Sequence, residues 1–253
     1  MVSRNIIETY LHDYLQVASF HDIGVNGLQV QGKQTIKLIV TGVTICQELI
    51  TKAIELKADA IFVHHGILFN SKGFVLTKYR STHIKLLTAN DINLFMYHLP
   101  LDVNDKIGNN MLLGKDLNFR LLKRIDVDGI HNILSIGEVK TEISNTALLK
   151  KIANKFNINP LYIHSKNTKL IKKVAWCTGA GQQFIEKVAD EGAGAYITGE
   201  ISHKVFHTIQ DLDINVYAIG HHNSEKSGIC MLGQHLSKKF KLKHYFIDIM
   251  NPL

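Results

Sequence analysis

Three hydrophobic runs in this chain end in side chains that bind metals. They are Ile61-Phe-Val-His64-His65-Gly66, Phe95-Met-Tyr-His98-Leu-Pro-Leu-Asp102 and Tyr217-Ala-Ile-Gly-His221-His222-Asn-Ser-Glu225. Runs of this kind read as buried strands, and open α/β sheets bind ligands beyond the carboxyl ends of their strands. The pattern therefore places histidines and carboxylates along a sheet edge. A two-metal site needs such a set, and neither ordinary packing nor a lone catalytic histidine would produce it.

Strand–helix alternation runs through the chain and predicts an α/β protein, two closely joined three-layer lobes with largely parallel or mixed sheets. The pattern predicts a helix over 4–18, a strand over 36–45, a helix over 47–57, a strand over 58–63, a helix over 80–90 and a strand over 92–97. Pro100 is expected to stop that last strand, because proline cannot donate to the ladder. A second series is expected to begin near 131, with strands at 132–139, 161–164, 172–178, 195–199, 214–219 and 242–248. Helices are expected at 142–156, 182–191, 201–211 and 224–240, the last with Ser224 as its N-cap and Glu225 at its positive end. The domain division expected is 1–125 with 215–253 as the metal-site lobe and 126–214 as the second lobe.

His64 and His65 are neighbours, and neighbours in a strand point to opposite faces. Both can serve one centre only where the strand ends and turns, and Gly66 gives that freedom. Asp102 comes after the next strand. Asn104 and Asp105 can do the helix capping there, which leaves Asp102 free as a candidate ligand, and a carboxylate's two oxygens can bridge paired cations. His221 and Glu225, four apart at a helix entry, can share an ion. His98 is placed beside the ligands, with His98, Glu200 and His203 as candidates for proton transfer. The metal set is thus His64, His65, Asp102, His221 and Glu225, an N/O set that suits two divalent ions of Fe, Zn or Mn and keeps a position for water. His222 is expected to point elsewhere. Two rivals are weaker. His203 and His207 have helical spacing, but the His-Glu-x-x-His order of a zinc protease is absent, and Thr178-Gly-Ala-Gly181 reads as a tight structural turn.

Several pieces match a known family in order along nearly the whole chain: Asn26-Gly-Leu-Gln-Val30, Val63-His-His-Gly66, Tyr97-His-Leu-Pro-Leu-Asp102, Gly108-Asn-Asn110, Thr198-Gly-Glu-Ile-Ser-His203 and Gly220-His-His-Asn-Ser-Glu225. The chain resembles the dinuclear-metal proteins catalogued as type 2 homologues of GTP cyclohydrolase 1. The resemblance implies the same five ligands, two α/β lobes with the C-terminal segment returning to the first, and a toroidal homohexamer. Longer members carry an inserted middle domain, for which this chain has no room. The activity it implies is metal-dependent hydrolysis, a GTP cyclohydrolase-like opening of a purine nucleotide. The alternative is a metal-binding chaperone or delivery protein that turns nothing over.

Composition limits the partners. Among 253 residues no stretch approaches the roughly 18 apolar residues of a membrane span, and the N-terminus does not read as a signal peptide. The three cysteines Cys46, Cys177 and Cys230 form no disulfide framework or Cys-x-x-Cys site, and read as small buried residues of a cytoplasmic protein. The net charge of +7 is concentrated between Lys115 and Lys173, with 12 Lys/Arg against 5 Asp/Glu. No aromatic–basic motif accompanies it, so the excess reads as a solvated face and a nucleic-acid partner is not expected. The partner expected is a small molecule, which the resemblance makes a nucleotide.

Overall fold

Strands covered on both faces read as near-continuous apolar runs, and this chain's central strands are mostly apolar, with a few threonine, asparagine and histidine positions. The computed structural model of the protein describes residues 1–69, 75–166 and 170–252. It divides into two units, Met1–Leu101 with Gly228–Met250, and Asp102–Ser227 with Asn251–Leu253. Among the described residues no helix is long and apolar enough to cross a membrane.

The first unit opens with β1 (Val2–Ser3), α1 (Arg4–Tyr14), β2 (Gly27–Val30) and β3 (Thr35–Ile36). It continues through β4 (Leu38–Thr44), α2 (Gln47–Glu55), β5 (Ala60–His65), α3 (Lys78–Ala89), β6 (Asn93–Met96) and α4 (Leu99–Asp102), whose last residue belongs to the second unit. Leu49, Ile50 and Ala53 of α2 are buried in one cluster with Val40, Ile61, Val63 and Leu94 of the strands. Each large side chain so buried contributes about 1.5–3 kcal/mol. The strand over 92–97 ends at Met96, four residues before Pro100. Pro100 does not stop it; it sits in the first turn of α4, where a missing N–H costs nothing.

Asp59 ties the start of this sheet together. Its carboxylate accepts the backbone N–H groups of Lys37 and Leu38 at 2.9 and 3.0 Å and the Lys33 ammonium at 2.8 Å. Burial would raise its pKa, but these donors outweigh burial and hold it below the usual aspartate value. A depressed carboxylate contributes stability above its unfolded pKa of about 3.9, lost as pH falls through the lower folded value. Asp59→Asn should therefore destabilise the protein by about 1–2 kcal/mol at neutral pH. Urea titrations should show that gap closing below about pH 4.

The second unit contains α5 (Asn109–Asp116), β7 (Phe119–Val127), β8 (Ile130–Ile143), α6 (Asn145–Phe156), β9 (Leu161–Ile163) and β10 (Ile171–Cys177). It continues with α7 (Ile185–Asp190), β11 (Ala195–Thr198), α8 (His203–Leu212), β12 (Asn215–Ala218) and the start of α9 (His221–Phe240). Its sheet runs β7-β8-β10-β11-β12-β9, parallel only across β10, β11 and β12. The sequence pattern does not predict the β7–β8 hairpin. Asp128 and Gly129 at its tip have φ of 51° and 77°, a turn with two left-handed residues whose twist suits a hairpin. Because β7 pairs with β8 and β12 with β11, residues 119–125 and 215–218, grouped with the metal-site lobe in the expected division, fall in this unit.

Trp176 centres the second core. Its indole N–H donates to the Asn110 carbonyl at 2.7 Å. Gly114 and Gly137 lie against the ring, where an added Cβ would come within 2.5 and 2.8 Å of it. The chain returns to the first unit at Gly228, within α9, and ends that unit's sheet with β13 (Lys243–Phe246). The order there is β13-β4-β5-β6-β2, parallel except for β2 against β6. All three cysteines are free, but only Cys177 is buried; Cys46 and Cys230 are half-buried.

Candidate metal centre

In the first unit, β5 delivers His64 and His65 at its carboxyl end, and the chain after β6 delivers His98. The three rings lie 4.7, 5.0 and 5.6 Å apart, centre to centre. One nitrogen from each falls within 4.8 Å of the other two, a grouping able to hold a metal ion. His98, expected beside the ligands, is thus brought together with His64 and His65 in one group of candidate donors. The strand stops at His65 because the next residues turn onto Gln29. Its Oε1 accepts from Ile67 and Leu68 N–H at 2.8 and 3.0 Å, and an added Cβ on Gly66 would overlap that oxygen.

Each imidazole is held by its Nδ1. His64 Nδ1 donates to the Tyr97 carbonyl at 2.9 Å, and His65 Nδ1 lies 3.0 Å from Thr44 Oγ1. His98 Nδ1 donates to Asp22 Oδ1 at 2.7 Å, while Asp22 Oδ2 accepts from Leu99 N–H and Asn26. A carbonyl or carboxylate partner can only accept, so His64 and His98 carry their proton on Nδ1. The Nε2 lone pair is then the donor offered to a metal or substrate. Burial would raise the Asp22 pKa, but His98 and the other donors outweigh it and keep the carboxyl low. Sequence reasoning missed Asp22, Thr44, Asn26 and Gln29 as positioning residues. The signal was the Asn26-Gly-Leu-Gln segment, whose Asn26 also accepts the His98 N–H at 2.8 Å.

In the second unit, Asp102 and Glu225 are buried carboxylates. Asp102 Oδ1 accepts from Asn109 at 2.8 Å and, weakly, from Thr178 Oγ1 at 3.4 Å. The helix that carries His221 and Glu225 begins at His221, not near Ser224, so the two form a true i,i+4 pair with Nε2 and Oε2 3.1 Å apart. Ser224 is no N-cap. Its hydroxyl donates to the His221 carbonyl at 2.8 Å and accepts the Gly179 N–H at 2.9 Å. Gly179 has a φ of +63°, and a Cβ there would overlap Glu225 Oε1, so the Thr178–Gly181 turn owes its glycine to the carboxylate beside it.

Glu200 Oε2 holds His221 Nδ1 at 3.1 Å, which makes Glu200 a positioning residue for that ring. Burial would lower the His221 pKa, but hydrogen bonds and charge from Glu225 and Glu200 raise it to about 9. Burial, with the charges of Asp102 and Glu225 behind it, pushes the Cys177 thiol up, so it is a packing residue and not a thiolate ligand. His222 is buried. His203 is exposed at the start of α8 and lines a different groove, with Leu161, Phe206 and His207, so it joins neither donor group. Imidazole nitrogens and carboxylate oxygens without a thiolate are the donor chemistry of Fe, Zn or Mn, and the residues present fit such ions.

Comparison with known proteins extends over the whole chain. The family model described as Duf34/NIF3 (NGG1p interacting factor 3) matches residues 2–252. A protein of Yersinia pestis called GTP cyclohydrolase 1 type 2 homolog is 38% identical over 250 residues, covering 98% of this chain and 99% of its own. One of the same name from Escherichia coli K12 is 37% identical over 246 residues, covering 97% and 98%. Among solved structures, protein ybgI, described as of unknown function, superposes with a TM-score of 0.94 at 36% identity over 100% of both chains. TTHA1606 from Thermus thermophilus does so with 0.85 at 29%, again over 100% of both.

Proposed function

Because the chain belongs to the Duf34/NIF3 (NGG1p interacting factor 3) family, we propose that it is a dinuclear metal-dependent hydrolase. Its ions would be held by His64, His65, Asp102, His221 and Glu225. The substrate class is a purine nucleotide, and the reaction a GTP cyclohydrolase-like opening of the base. The substrate rests on the name borne by relatives 37–38% identical over nearly their full length. The observation that carries the metal reading is the Nδ1 tethering of His64, His65 and His221, which presents Nε2 from each ring.

When bound, such ions lower the pKa of a water toward neutrality. The chain's own residues do the remaining work. His98 moves protons at Nε2, since its Nδ1 proton is held by Asp22. Asp22 stays ionised and stabilises the imidazolium that His98 becomes on accepting a proton. Glu200 fixes the plane of the His221 ring.

The test is formate release from GTP by metal-loaded protein. His98→Asn should lower kcat by about a hundredfold while metal content stays at the wild-type level. Full metal loading with no turnover of a purine nucleotide panel, together with fast transfer of metal to an apo acceptor, would overturn the hydrolase reading in favour of metal delivery.

A further inference from the structure

Part of the excess positive charge of the second unit lies on one concave surface. A groove of about 590 Å³ is lined by Lys115, Arg120, Lys140 and Lys172, with Glu138 as its one carboxylate and the buried Phe119 also in its lining. Arg120 spends its charge on Glu138 at 2.6 Å. Lys115, Lys140 and Lys172 form no ion pair among the described residues; Lys172 reaches only the Val139 carbonyl, at 3.4 Å. Of the basic residues nearby, Lys155 is matched to Asp116 and Lys123 to Glu191, while Lys151 lies over the Phe119 ring with its ammonium 5.4 Å from the centroid and adds to the positive field there. Three ammonium groups in one concavity repel each other and raise the local concentration of anions. (Lys169, in the same basic stretch, lies outside the described residues.)

The groove lies at the wrong end of the sheet to serve the metal ligands of this unit. Lys172 is at the start of β10, whereas Thr178, which reaches Asp102, follows its end. Six residues of strand separate them by about 20 Å. A nucleotide phosphate beside Asp102 would not touch these lysines.

We infer that this groove is a second anion site, for a small ligand carrying adjacent phosphates, such as a polyphosphate or a nucleoside triphosphate. Each uncompensated lysine takes one phosphate oxygen set of the ligand. The volume of about 590 Å³ holds one such molecule, and comparison with an oligonucleotide separates it from a nucleic-acid strand.

Inorganic tripolyphosphate is the probe, titrated by calorimetry into the full chain both with its metal and after metal removal. Binding is expected in both forms, weakened as salt rises. In the Lys140→Glu/Lys172→Glu double variant it should weaken by about tenfold or more, with metal content and Tm unchanged. GTP should compete for the same site, and a single-stranded oligonucleotide of equal phosphate concentration should not bind more tightly. Absence of binding at low salt, equal binding by the double variant, or tighter oligonucleotide binding lost in that variant would each overturn the inference. None of these outcomes bears on the metal reading, which metal content reports separately.

Discussion

Glu225→Gln should lower metal affinity by at least about a hundredfold while leaving the metal-free protein folded. Gln keeps the shape of the side chain, so the close approach of Gly179 to this position is undisturbed. What is lost is one negative charge in a buried place, where a carboxylate interacts with a cation far more strongly than in water. The raised His221 pKa has the same origin, so the variant should also let that imidazole titrate nearer its ordinary value. Glu200→Gln should cost less, about 10–100-fold, because Glu200 acts through His221. Thermal unfolding separates binding from stability: added metal should raise the Tm of the wild type and leave that of Glu225→Gln nearly unmoved. Equal metal-induced shifts in the two proteins would contradict the assignment.

Trp176→Ala should destabilise the protein by about 3–5 kcal/mol. For a chain of this size that corresponds to a fall in Tm of roughly 10 °C. The loss has two parts. The indole is completely surrounded, with Gly114 and Gly137 left without side chains to admit it, so its removal opens a cavity. The Asn110 carbonyl also loses its buried donor. Asn110 is itself an anchor, since its Oδ1 accepts the Thr178 N–H at 2.9 Å and its Nδ2 donates to the Ile133 carbonyl at 3.0 Å. Trp176→Phe fills most of the space and isolates the hydrogen bond, at about 1–2 kcal/mol. A loss under about 1 kcal/mol for the alanine variant would mean the core does not depend on this ring.

The legible parts of the sequence were those where one period dominates. The runs at 38–44, 60–65 and 195–198 are mostly apolar and lack a polar alternation, and each is a largely buried central strand. The His-His-Gly ending of β5 was legible too, because a strand that must aim two adjacent residues at one place has to stop there. The β7–β8 hairpin was not legible as two strands, because β7 alternates irregularly and carries Arg120, Lys123 and Arg124. Its register shifts between Leu121 and Lys123 and again between Ile125 and Val127 break the period of two. The Asp128-Gly129 pair was the available signal. Ser224 misled for a different reason: serine favours an N-cap on average, yet here its hydroxyl serves Gly179 from inside the helix.

The candidate site divides the same way. Side chains able to offer donor atoms stand out by type and spacing, since few side chains bind transition metals. Residues that orient them could not. Asp22 holds His98 across 76 positions of sequence, and the Tyr97 carbonyl holds His64 across 33. Only folding brings such partners together. His203 shows the reverse case, a histidine in a matching motif that the start of α8 leaves exposed.

Elemental analysis of the chain after metal removal and reconstitution tests the central claim most directly. Two divalent ions per chain are expected for the wild type, with loss of both or of one when His64, His65, Asp102, His221 or Glu225 is replaced. Retention of no transition ion by the reconstituted wild type, or an unchanged count in all five variants, would contradict it.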